Sequence, residues 1–156
     1  MNSNPEILVV VGLLSVQSNE LADAEGYFLQ ALESNIKNKD PIYLYLGQIA
    51  EKNNNDADAI NWYGRVQQPE EKTSNQQASH YLDAKLSIAN VISRTQGADA
   101  AIQMLDDLEN LSDAQLAQVI TAQANLLAQA KRFQESYELL GKAVANMPNA
   151  NDLIYD

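Results

Sequence analysis

Small residues recur in register along this chain, and no other feature restricts its folding as strongly. Written in four rows that begin at Pro5, Asp40, Leu82 and Ala117, the sequence places Gly12, Gly47, Ala89 and Ala124 in the eighth column. The twentieth column holds Ala24, Ala59, Ala101 and Ser136. Four residues on stands a large apolar group, Phe28, Tyr63, Leu105 or Leu140, and three later come Ala31, Val66, Leu108 and Ala143. Small side chains let two helix backbones approach, and a bulky neighbour one turn away fills the space beside them. The rows are offset by 35 residues within each pair and by 42 between the pairs, which implies an insertion of about seven or eight residues near 69–77. A unit of this length buries its apolar face against its neighbours rather than alone.

Helix signals follow the same register. Asn4-Pro5 and Asp40-Pro41 each put a capping side chain before a first-turn proline. Ser112 with Gln115 reads as a capping box, and Gly97 as a helix stop, as does Met147-Pro148. Each row therefore predicts two helices of one to two dozen residues, turning near Ser18-Asn19, Asn53–Asn55, Gly97 and Lys131-Arg132. Strict polar–apolar alternation is absent, so the expected class is all-α. The polar insertion is expected to close the second hairpin and to lengthen the next helix at its start, from about Asn75.

Together these columns resemble the tetratricopeptide repeat, whose unit of similar length carries small residues here, an aromatic or Leu between them and Pro near its end, where Pro148 stands. The resemblance covers residues 5–149. It departs from the family in lacking a Trp near the start of any row, in placing Gln123 at an apolar column and in bringing Pro69 two columns early. It implies a right-handed superhelical solenoid of about four hairpins in one domain, with repeats at 5–39, 40–74, 75–116 and 117–149 and a further one starting within 150–156. More loosely, the rows are similar to those of bacterial proteins with many such repeats, often exported to the periplasm or outer membrane.

Charge and composition exclude several function classes. Ten Lys and Arg against 21 Asp and Glu give a net charge of −11, spread evenly, whereas nucleic acid demands a basic face. The longest apolar stretch, Ile7 to Leu14, falls far short of the roughly 20 residues that span a membrane. With no cysteine, thiol catalysis and thiolate metal sites are excluded. His80, the single histidine, has only Asp83 at helical spacing, a poor basis for a metal site. Asp106, Asp107 and Glu109 cluster at a predicted helix C-terminus, where the dipole disfavours them. The expectation is a chain without catalytic residues, metal or cofactor.

The remaining candidate is a groove. In the family resembled, groove-facing residues sit at the second, fifth, ninth, twelfth and thirteenth columns of the first helix in each row. Carried over, these are Leu44, Gln48, Glu51 and Lys52 in the second row. The third gives Asp83, Leu86, Asn90, Ser93 and Arg94, and the fourth Gln118, Thr121, Asn125 and Gln129. Their amides and hydroxyls donate and accept, which suits the backbone of an extended peptide. The first row instead offers Val9, Leu13 and Val16, flanked by Glu6 and Gln17, for an aliphatic side chain or a preceding repeat. The expected partner is a protein or peptide, with no nucleic acid and no membrane insertion by this segment. The alternative is a spacer or oligomerisation module without a ligand. Apolar residues at both ends also predict weak end-to-end self-association.

Overall fold

The computed structural model describes residues 4–69 and 75–146, and among them every regular element is helical. In chain order these are α1 (Pro5–Gln17), α2 (Leu21–Glu33), α3 (Asp40–Lys52), α4 (Asp56–Tyr63), α5 (Asn75–Gln96), α6 (Ala98–Asp106), α7 (Asp113–Gln129) and α8 (Phe133–Ala145). Residues 70–74 of the insertion, and the closing stretch with Pro148 and the start of a further repeat, lie outside the described residues. Two compact units make up the chain, residues 1–88 and 89–156, and the division falls inside α5.

Three of the four hairpins turn in the same way. After α1 the amides of Ser18, Asn19 and Glu20 donate to the carbonyls of Leu14, Val16 and Ser15. After α3, Asn53, Asn54 and Asn55 donate to Ile49, Glu51 and Ala50, and after α7, Ala130, Lys131 and Arg132 donate to Leu126, Ala128 and Leu127. The middle residue of each turn is left-handed: Asn19 at φ 62°, Asn54 at 59° and Lys131 at 63°. That conformation satisfies the last helical carbonyls, and Asn tolerates it better than Lys does. The third row departs: α5 runs on to Gln96, and Gly97 alone, at φ 100° and ψ 164°, turns the chain into α6. A side chain is strained there, so glycine is required.

Caps follow the sequence with one exception. Asn4 Oδ1 accepts the Glu6 amide at 2.8 Å, and both halves of the Ser112–Gln115 capping box are formed. Asp40, however, is the first helical residue of α3 rather than its cap. Asn38 Oδ1 accepts its amide at 3.2 Å, which moves the capping side chain upstream. Two helices are also shorter than expected, α4 with eight residues and α6 with nine.

In the first unit, α1 packs on α2, α2 on α3 and α3 on α4. A methyl group at Gly12 would lie 2.7 Å from the Phe28 ring, and Gly47 meets Tyr63 in the same way. Each pair joins columns eight and twenty-four, and Phe28, Tyr63, Ala24 and Ala59 are fully buried. The ring of Tyr45 stacks on Phe28 at 5.2 Å, and Tyr43 on Trp62 at 6.3 Å, with the Arg65 guanidinium 4.3 Å above the Trp62 ring. The Tyr63 hydroxyl donates to the Glu51 carboxylate and ties α4 back to α3.

In the second unit α7 packs on both α6 and α8. Ala101, Leu105, Val119, Ala124, Leu126 and Leu127 are buried. Here polar groups share the interior. The Ser136 hydroxyl donates to the Ala124 carbonyl at 2.9 Å, which joins columns twenty and eight through a hydrogen bond.

Candidate functional site

Gln123 explains its place in an otherwise apolar column. It is buried on α7, and its amide nitrogen donates to the Ile102 carbonyl at 3.2 Å and to Asp106 Oδ1 at 2.7 Å, both on α6. Gln103 Nε2 donates to Asp107 at 3.1 Å. The two carboxylates at the C-terminus of α6 thus receive amide donors that offset their unfavourable position against the helix dipole. Of the acidic cluster, Asp106 takes part in the contact between α6 and α7, while Asp107 and Glu109 are exposed. Among the described residues no group of three or more His, Cys, Asp or Glu side chains is placed to hold a metal ion.

His80 is half-buried on α5, and its Nδ1 is enclosed without a hydrogen-bond partner among the described residues. Sequence spacing offers it only Asp83, but the fold brings it near Asp40. Burial pushes the Asp40 carboxyl above its usual range, and the His80 charge opposes that shift. On the surface of the second unit Arg132 pairs with Asp99 at 2.7 Å and with Glu135, which it holds below the usual carboxylate range.

The thirteen groove candidates of the second to fourth rows all lie on first helices of their rows, and none is buried. On α3, Leu44, Gln48 and Lys52 follow one another at four-residue steps, half-buried, exposed and exposed, so they share a face. Leu86 is half-buried in the first unit, while Asn90 and Arg94 are exposed in the second. On α7, Gln118, Thr121, Asn125 and Gln129 are exposed along one stripe. The opposite side of α7 carries the buried Val119, Gln123 and Leu126. Thr121 is less available than its composition suggests, because its hydroxyl donates to the Ala117 carbonyl of its own helix at 2.8 Å.

The first row differs from the sequence reading. Val9, Leu13 and Val16 are half-buried and pack against the core of the first unit instead of lining an open surface. The exposed apolar residues of α1 are Ile7, Val10 and Leu14, in columns three, six and ten. Their counterparts show that these are contact columns: Ile42 and Ile49 on α3 and Val119 and Leu126 on α7 are all buried. Sequence reasoning saw the apolar stretch but assigned its free face to the wrong columns, although the comparison between rows contained the signal.

No model of a known protein family matches the chain, and no curated protein matches it. No helix among the described residues is long and apolar enough to cross a membrane.

Proposed function

We propose that this chain is a non-catalytic protein-interaction scaffold of the tetratricopeptide type, a solenoid whose first helices present a surface for an extended protein segment. The observation that carries the reading is the repeated division of these helices. Each of α3, α5 and α7 buries one side and leaves outward a stripe that includes amides, Gln48 on α3, Asn90 on α5, and Gln118, Asn125 and Gln129 on α7. Amides that both donate and accept match the alternating donors and acceptors of an extended backbone. Helices hold them in place, so little ordering of the receptor opposes binding.

The test is a double substitution, Asn90→Ala with Asn125→Ala, assayed by partner capture and by circular dichroism. Exposed substitutions move stability by within about 0.5 kcal/mol, so helicity and melting temperature stay nearly unchanged while capture weakens. Capture that survives the double substitution moves the reading to a spacer module without a ligand on this face.

A further inference from the structure

Among the described residues the first and last hairpins each leave open a surface that is closed elsewhere in the same chain. On α1, Ile7, Val10 and Leu14 are 61%, 54% and 56% exposed. Between α7 and α8 lies an open pocket of about 280 Å³, walled by Leu116, Ile120, Leu139 and Ala143 with Lys142 and Asn146 at its edge. Beside it on α8, Leu140, whose column is fully buried in the three preceding rows, is 38% exposed.

The first unit shows what such a pocket takes. The first-row counterparts of Ile120, Leu139 and Ala143 are Leu8, Tyr27 and Ala31, at the α1–α2 hairpin. They belong to one core with Ile42, Leu46 and Ile49 of α3, and Tyr45 of α3 stacks on Phe28 of α2. A first helix closes the hairpin by laying columns three, six and ten upon it. Those columns on α1 are Ile7, Val10 and Leu14, the residues left uncovered. The charges also agree: Glu6 is the single charged residue of α1, and Lys142 the single charged residue lining the pocket.

We infer that α1 of a second copy of this chain seats in the α7–α8 pocket, repeating between molecules the contact that α3 makes with the α1–α2 hairpin. The contact joins two different surfaces, so it does not consume its own partner face. Each added copy presents a fresh pocket, and the association is head-to-tail. Val10 takes the place of Tyr45 and faces Leu140, the counterpart of Phe28. Burying the aliphatic stripe supplies the driving force, and the Glu6–Lys142 attraction adds a minor term that salt screens.

Sedimentation over a concentration series reaching the millimolar range tests this on the chain and two variants. Val10→Lys blocks the α1 surface and Ala143→Lys the pocket, and circular dichroism checks that each variant keeps its helicity. The expected result is a mass that grows with concentration for the unaltered chain and stays monomeric for either variant alone, each weakening association about tenfold or more. An equimolar mixture of the variants forms a dimer, because one intact pocket meets one intact α1. An unaltered chain that remains monomeric overturns the inference, as would happen if either face were covered within the same molecule. Association insensitive to both variants overturns it too. Loss with Val10→Lys while Ala143→Lys still associates by itself indicates α1 pairing with α1 and refutes the head-to-tail contact.

Discussion

The two units solve one packing problem by different means. In the first, columns eight and twenty-four pair glycine with an aromatic ring, Gly12 with Phe28 and Gly47 with Tyr63, and further rings stack on these. In the second the same columns hold Ala89 with Leu105 and Ala124 with Leu140, and its only aromatics among the described residues, Phe133 and Tyr137, are exposed. Hydrogen bonds stand where rings stood, from Ser136 to Ala124 and from Gln123 to α6. Ring packing rewards area, tolerates small displacements and fails when a methyl group intrudes. Buried hydrogen bonds add less net energy but fix alignment, because a shifted donor leaves a polar group unpaired. Within this chain the occupants of columns eight and twenty-four therefore change together from row to row.

The largest expected effect breaks the first solution. Gly12→Ala drives a methyl into a ring with no room to retreat, and after allowing for the better helix propensity of Ala the net cost is about 2 kcal/mol in urea unfolding. Adding Phe28→Leu imports the pair found in the third row, and the double variant should lose less than the sum of the two single losses, by at least about 0.5 kcal/mol. Strict additivity would show that columns eight and twenty-four do not share one contact. A smaller effect probes the second solution. Gln123→Leu keeps the volume and removes two donors, at a cost of about 1 kcal/mol, modest because Asp106 reaches water. An increase in stability would mean that hydrogen bonding does not hold α6 to α7. The smallest change has the opposite sign: among the described residues nothing lies within 4 Å of a Cβ at Gly141 on α8, so Gly141→Ala should stabilise by about 0.5–1 kcal/mol. Destabilisation there would contradict the open fourth hairpin.

Much of this fold was legible in the sequence because its determinants are local or periodic. The small and large columns marked where helices pack closely, and the structure joins two of them, Gly12 with Phe28. The positions of the turns, the Ser112–Gln115 box and the stop at Gly97 follow from short-range chemistry. Gln123 was legible only as an anomaly, since its partners lie 17 and 21 residues away and no spacing rule links a glutamine on one helix to a carbonyl on another. A still longer separation in sequence hid the approach of Asp40 to His80. The proposed binding stripe was the least legible part. Exposed amides such as Asn125 satisfy themselves with water, so their sequence carries no mark that separates contact from solvation.

The Gln123 side chain also governs how the molecule opens. A helix of nine residues is too short to persist in water by itself. The last turn of α6 is held from outside through the Ile102 carbonyl and Asp106. Hydrogen exchange of its last amides should therefore track that of α7 and quicken in Gln123→Leu.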